Sequence, residues 1–338
     1  MKYVKIAIIL GITLIFLFVF FNNVNFSEVI QIIKGVNPVY PLLFSLGSFL
    51  QFFIRAYRWG IILKPYKKKI KLSTLYNYTM IGYFINFLVP GRVGEPAKGI
   101  LLAKNLNIPR SYGLASVVLE RLIDFFIVVM FFLISLFFIK NNNSIFLIQI
   151  KKIAIFIFPV IIFIFFLFYL FNTRRVFPVV EKLINKISRI LPEKFRARLV
   201  EFTLKFIKGL RLNLKFLDVL KLFLASIAVW FALIPCYWIL MKGFDIQLGL
   251  LEIFPYFSIL VVSASIPTPG MAGTMDAGSK IALTKLYNIP VDTAVAYTIL
   301  FHFLVLALWV VCGLIASVVQ GLNIKSIKNF KRGENEMS

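Results

Sequence analysis

The chain has one histidine, His302, and two cysteines, Cys236 and Cys312. Both cysteines lie in apolar runs and read as packing residues, so neither a disulfide framework nor a metal site is implied. No cofactor is expected. No Gly-x-x-x-x-Gly-Lys-Ser/Thr loop occurs, which argues against ATP coupling. No Asp-x-Asp metal pair occurs either. Acidic residues are scarce: 14 Asp and Glu stand against 38 Lys and Arg, for a net charge of +24. In a soluble domain that imbalance would point to nucleic acid. Here no nucleic-acid partner is expected, because the basic residues gather in loops between apolar runs, where they set topology by the positive-inside rule.

Apolar residues are abundant. They make up 60% of the 338 residues, 38 of them Phe, and mean hydropathy is +0.89. They concentrate in runs such as Ile6–Phe21, Ser111–Ile139 and Ile153–Phe171. Each is near the ~20 residues that a helix needs to cross a hydrocarbon core. The first run follows Lys2 and Lys5, as in a signal peptide, but continues Phe20-Phe21-Asn22-Asn23 with no small-residue cleavage site. It reads as an uncleaved first span.

The expected fold is an all-α polytopic membrane protein. About six full spans fall at 6–22, 38–63, 111–139, 153–171, 217–241 and 291–320, and two further apolar stretches, 72–104 and 250–287, are broken by Pro-Gly segments. The loop carrying Lys64, Lys67, Lys68, Lys69 and Lys71 belongs in the cytoplasm. So do the segment 172–215, with twelve Lys and Arg against three Glu, and the tail with Lys325, Lys328, Lys331 and Arg332. Both termini are then cytoplasmic, in a multi-pass protein of the cell membrane. The loop 140–152 is the weak point, with Lys140, Lys151 and Lys152 on the outer side. By parity, stretch 72–104 enters and leaves on the cytoplasmic side, and 250–287 on the outer side. Their half-length pieces favour re-entrant helical hairpins.

The two broken stretches resemble each other. Pro90-Gly91-Arg92-Val93-Gly94-Glu95 leads to Asn107-Ile108-Pro109, and Pro269-Gly270-Met271-Ala272-Gly273 leads to Asn288-Ile289-Pro290. Arg121 and His302 each lie twelve residues past those prolines. The unit of span, hairpin and span thus occurs twice, inverted by the extra span between. Inverted repeats with discontinuous helices characterise secondary transporters, with sites at the repeat interface. The expected organisation is a first span and outer loop (1–37), repeat 1 (38–139), a linking span with a basic amphipathic segment (140–216), repeat 2 (217–322) and a basic tail (323–338). Within the linking region, 174–215 mixes basic and apolar residues, as suits a helix on an anionic inner leaflet.

Charges at membrane depth are candidate functional groups. Arg55 and Arg58 lie near the cytoplasmic end of their span and either serve a site or snorkel to the interface. Glu120, Arg121 and Asp124 lie ~15 Å deep. They form a buried ion pair that sets helix packing, a site for a charged head group, or both. The first hairpin tip carries Arg92, Glu95 and Lys98, with Gly91 and Gly94 allowing a tight turn. Backbone N–H groups and basic side chains there suit a phosphate. The second tip, with turn residues Pro267, Pro269, Gly270 and Gly273, has no basic residue, and Asp276 follows. His302 reads as a hydrogen-bonded packing residue or as a proton relay. The expected substrate site comprises Arg55, Arg92, Glu95, Lys98, Glu120, Arg121, Asp124 and Asp276.

The motifs Pro90-x-Arg92-x-Gly94-Glu95-x-x-Lys98, Glu120-Arg121-x-x-Asp124 and Pro267-x-Pro269-Gly270-x-x-Gly273-x-x-Asp276 resemble the lysylphosphatidylglycerol synthase transmembrane, or flippase-like, family. That family includes the flippase half of the bacterial multiple peptide resistance factor. This chain has Lys98 where the family usually has Arg, and Met271 and Asp276 where it usually has Gly and Glu. The resemblance implies a stand-alone member that moves a polar lipid between leaflets, not lysyl transfer, which belongs to a separate soluble domain. The leading expectation is a lipid flippase or scramblase with membrane lipids as its partners, and not an enzyme. Two alternatives are a membrane transferase acting on a lipid-linked sugar or phosphate, with Glu95 or Asp124 as general base, and a non-catalytic partner of a separate glycosyltransferase.

Overall fold

A computed structural model describes residues 2–135 except Pro90, residues 193–322 except 212 and 213, and isolated positions between 152 and 188. Nearly all of the expected span 153–171 and loop 140–152, and the tail from 323 onward, lie outside the described residues. Every described element is helical.

The first half comprises α1 (Lys2–Phe21), α2 (Phe26–Gly35), α3 (Val39–Leu63), α4 (Leu72–Leu88), α5 (Gly94–Leu106) and α6 (Arg110–Ser135). The second comprises α7 (Glu193–Gly209), α8 (Phe216–Lys242), α9 (Ile253–Ala264), α10 (Thr274–Tyr287) and α11 (Val291–Val319), with a 3₁₀ turn at Pro269–Met271. Helices α3, α8 and α11 are long and apolar enough to cross a membrane, and the bent pair α1 and α2 makes a fourth crossing if it is counted as one span. Helix α6 spans 26 residues but carries four charges, Arg110, Glu120, Arg121 and Asp124. Helices α4, α5, α9 and α10 run 12 to 17 residues. At 1.5 Å per residue each is ~18–26 Å long, short of a ~30 Å hydrocarbon core.

Residues 22–37, expected to be an outer loop, contain α2. Its start signal is Asn25 with Glu28 three residues on. The Asn25 carboxamide oxygen accepts from the Ser27 and Glu28 N–H groups, and the Asn25 N–H donates to Asp292 at 2.8 Å. The chain turns by 78° between α1 and α2.

Helices α3 to α6 and α8 to α11 follow the same order of long, short, short and long. Leu72 and Ile253 open corresponding helices 181 positions apart, as do Arg110 and Val291. Asn107 and Asn288, again 181 apart, both adopt the left-handed conformation (φ 55° and 53°) and end α5 and α10. Asn tolerates that conformation, and a proline two residues later prevents the helix from resuming. Long helices α3 and α8 lie against each other across Gly47, where a Cβ would fall 2.4 Å from the Cys236 Sγ. Both cysteines are free. On the loop side, the Tyr66 hydroxyl donates to the Gly209 carbonyl at 2.9 Å and its ring stacks on Tyr112. These contacts tie α7 to the ends of α3 and α6.

Candidate functional site

The tip between α4 and α5 is built from Gly91 (φ 95°) and Arg92 (φ 55°), two successive left-handed residues. Arg92 pays strain that glycine would not. Beyond the tip, α5 starts hard against α4. A Cβ on Gly94 would lie 1.9 Å from the Gly82 carbonyl oxygen, so only glycine fits. The Gly94 N–H, unsatisfied within its own helix, donates to the Asn86 side chain at 2.8 Å. Helices α5 and α6 then cross at Gly99 and Gly113 with equally little room. Such small-residue contacts let helices approach in a membrane, and here they bring the tip's charges against α6.

There a network forms. Arg58 donates to Asp124 at 2.5 Å and to Glu120 at 3.0 Å. Arg55 donates to Asp124 at 3.1 Å. Lys98 donates to Glu120 at 2.6 Å, with its ammonium 4.6 Å from the centre of the Trp59 ring. Arg121 pairs with Asp124 at 2.9 Å, Glu95 at 3.5 Å and Glu120 at 3.7 Å. Arg92 reaches Glu95 at 3.9 Å. Five cations thus meet three carboxylates. Glu120 and Arg58 are completely buried. Partner-for-partner pairing is what makes such burial tolerable.

The second tip is held by different chemistry. Asp276 accepts from the Gly273 N–H at 2.8 Å, closing the N-terminus of α10, and from His302 Nδ1 at 2.6 Å. The other imidazole nitrogen, Nε2, lies 2.9 Å from the Gly270 carbonyl oxygen. Gly270 and Gly273 both have positive φ, at 56° and 81°. His302 therefore sits where Arg121 sits in the other half, bound to Asp276 as Arg121 is bound to Glu95. Lys280, on α10, donates to the Val19, Phe20 and Asn22 carbonyls at 3.2, 2.9 and 2.6 Å, capping the end of α1.

The two tips flank one cavity of about 160 Å³. Arg55, Arg92, Glu95 and Arg121 form its charged wall. Gly270 and Met271 of the second tip lie opposite, with Trp230, Tyr237, Phe257 and Leu260 from α8 and α9. Arg92 and Arg121 keep 32% of their side-chain surface exposed.

Of the expected site residues, Arg55, Arg92, Glu95 and Arg121 line this cavity. Lys98, Glu120 and Asp124 stand behind them as counter-charges, so Lys98 does not face the cavity. Asp276 and His302 form a separate pair under the second tip, joined to the cavity through Gly270. Gly91, Gly94, Pro267, Pro269 and Gly273 shape the tips; Pro90 lies outside the described residues. Neither Arg55 nor Arg58 snorkels, since both turn inward to Asp124 and are almost fully buried. Arg58 holds two carboxylates at once, a role that sequence reading left open. Glu95 and Asp124, the candidate general bases, are both engaged by arginines. Ser48, Gln51 and Lys280 escaped the sequence reading. For the first two a signal existed: Ser48, Gln51, Arg55 and Arg58 recur at helical spacing along one face of an otherwise apolar helix.

Residues 4–313 match the lysylphosphatidylglycerol synthase TM region family. A UPF0104 membrane protein of Methanocaldococcus jannaschii is 23% identical over 326 residues, covering 94% of this chain and 96% of that protein. A second UPF0104 membrane protein, of Pyrococcus horikoshii, is 24% identical over 193 residues, covering 56% and 57%. No solved structure matches. With the match running over nearly its whole length, this chain belongs to the lysylphosphatidylglycerol synthase transmembrane-region family.

Proposed function

We propose that this protein is a lipid transporter, a flippase or scramblase, which moves a phosphate-bearing lipid between leaflets through the cavity between the two tips. One observation carries the reading. Three cations (Arg55, Arg92, Arg121) and one carboxylate (Glu95) line this cavity, and Arg58 and Lys98 with Glu120 and Asp124 balance one another behind them, leaving a surplus of two positive charges among the described residues. An uncompensated buried charge is expensive, and the two arginines that stay partly exposed, Arg92 and Arg121, are those placed to meet an incoming anion. Guanidinium groups bind phosphate oxygens in bidentate fashion.

The matched halves support an inverted repeat, with α4 and α5 dipping in from the cytoplasmic side and α9 and α10 from the outer side, and both termini cytoplasmic in the cell membrane. A head group enters between the tips, the arginine wall neutralises its phosphate, and the tips open alternately. The basic segment 174–215 rests on the anionic inner leaflet. We favour transport over catalysis because the carboxylates nearest the cavity, Glu95 and Asp124, serve as counter-ions to arginines.

The test is leaflet exchange of labelled lipids in vesicles reconstituted with the full chain. The expected result is exchange faster than in empty vesicles, slowed by Arg121→Gln. Exchange no faster than in empty vesicles, for anionic, zwitterionic and polyprenyl-phosphate lipids alike, would refute the reading.

A further inference from the structure

Besides the Nε atoms of Arg55 and Arg121 in the charged wall, four buried polar side-chain atoms around the cavity have no hydrogen-bond partner among the described residues: Ser48 Oγ, Gln51 Oε1, Trp230 Nε1 and Trp309 Nε1. All four residues line the cavity and are at most 6% exposed. Buried polar groups are nearly always satisfied by protein, water or ligand, so four orphans around one space mark the polar contacts offered to whatever fills it. They are not strays from loose packing. Trp230 is held between Arg55 and Phe257, with the guanidinium carbon 5.7 Å from the indole centre, and Trp309 packs on Tyr83 at 4.8 Å.

The chemistry of the four atoms narrows the ligand. Each indole N–H is a donor only and needs an acceptor, whereas the Gln51 oxygen is an acceptor only and needs a donor. An ionised phosphate accepts but cannot donate, so it satisfies the indoles and leaves Gln51 unmet. An ammonium group donates but cannot accept, and it would add to a wall that already carries two surplus positive charges. A quaternary ammonium does neither. A hydroxyl does both.

We infer that the cavity selects a head group in which a phosphate is joined to an uncharged polyol, such as glycerol, inositol or a sugar, and discriminates against amine-bearing head groups. The phosphate lies on Arg55, Arg92 and Arg121, and the hydroxyls lie among Ser48, Gln51 and the two indoles. This inference rests on the reading of the cavity as a lipid head-group site.

Native mass spectrometry of the full chain, released from detergent with an equimolar mixture of phosphatidylglycerol, phosphatidylinositol, phosphatidylethanolamine and phosphatidylcholine of identical acyl chains, isolates the head-group term. The two polyol lipids are expected to outnumber the other two as adducts by at least tenfold. Removing one neutral hydrogen bond changes binding by about tenfold, so Gln51→Leu and Trp309→Phe should each erode most of that preference. Trp309→Phe keeps an aromatic ring and serves if Gln51→Leu does not fold. Equal adducts of all four lipids, or a preference untouched by either variant, would overturn the inference, even if vesicles show rapid exchange. A clear preference in a protein that exchanges no lipid upholds the inference and removes the transport reading. Free glycerol phosphate and inositol phosphate form a tail-less arm. Displacement of the lipids by these at similar concentration supports the head-group chemistry and shows that the ligand is not a lipid.

Discussion

Replacing Asp124 with asparagine keeps the side chain's shape and removes its charge from the centre of the ion network. Asp124 receives Arg55, Arg58 and Arg121 at 3.1, 2.5 and 2.9 Å. After the change Arg58 still has Glu120 at 3.0 Å, and Arg121 still has Glu95 and Glu120. Arg55 is left with the face of Trp230 and a neutral carboxamide, and the surplus of positive charge rises from two to three. Breaking a buried ion pair by removing one partner costs about 3–5 kcal/mol. The retained partners of Arg58 and Arg121 argue for the middle of that range, about 4 kcal/mol, or roughly a thousandfold in the folding equilibrium. That is a large part of a typical total of ~5–15 kcal/mol. Reversible unfolding of the purified chain in mixed micelles titrated with dodecyl sulfate would read it. A second substitution sharpens the test. Arg55→Met, added to Asp124→Asn, removes the cation left without a carboxylate and should restore at least ~1.5 kcal/mol relative to additivity. A loss under ~1 kcal/mol for Asp124→Asn, or strict additivity of the pair, would refute the account of a mutually compensated network.

Three further outcomes are expected. Gly94→Ala places a methyl group 1.9 Å from the Gly82 carbonyl oxygen, so the first hairpin must splay; thermal unfolding should show a loss of about 3 kcal/mol, and unchanged stability would mean that the two arms do not pack as described. Lys280→Met leaves three carbonyls at the end of α1 without their shared donor, which should destabilise the chain by about 1–3 kcal/mol and accelerate hydrogen exchange in α1 while that in α3 stays constant. Arg92→Gln removes a tip cation whose one close ion pair is 3.9 Å long; lipid exchange should fall by about tenfold or more with melting within a few degrees of the parent, and the reverse pattern would make Arg92 a structural residue.

Much of the architecture was legible in the residue order, because hydropathy and punctuation are local signals. The apolar run 38–63 became α3, 217–241 became α8 and 291–320 became α11, each within two residues at either end. Pro-Gly breaks divided 72–104 and 250–287 into half-length helices, and the two Asn-Ile-Pro sequences marked where each second arm stops. Helix α2 was missed because ten residues with one polar face carry too little hydropathy to register as a span, although Asn25 and Glu28 announce its start.

The site was half legible. Any charge deep in an apolar run is conspicuous, since it must be compensated, and that reasoning alone picked out Arg55, Glu120, Arg121 and Asp124. Which cation meets which carboxylate is another matter. Residues 55, 58, 98, 120 and 124 come together from three helices, with α5 and α6 meeting at Gly99 and Gly113, and contact geometry is not written in spacing along one chain. So Lys98, an apparent ligand, proved a counter-ion buried behind the wall. Ser48 and Gln51 look ordinary in sequence, and they gain meaning only once they are found buried without partners. Composition and periodicity determined that the chain belongs in a membrane, where most of its long apolar helices lie, and which charges demand explanation. The tertiary structure decided which of those charges are consumed by one another and which remain facing a cavity, because electrostatic compensation depends on distances between helices remote in sequence.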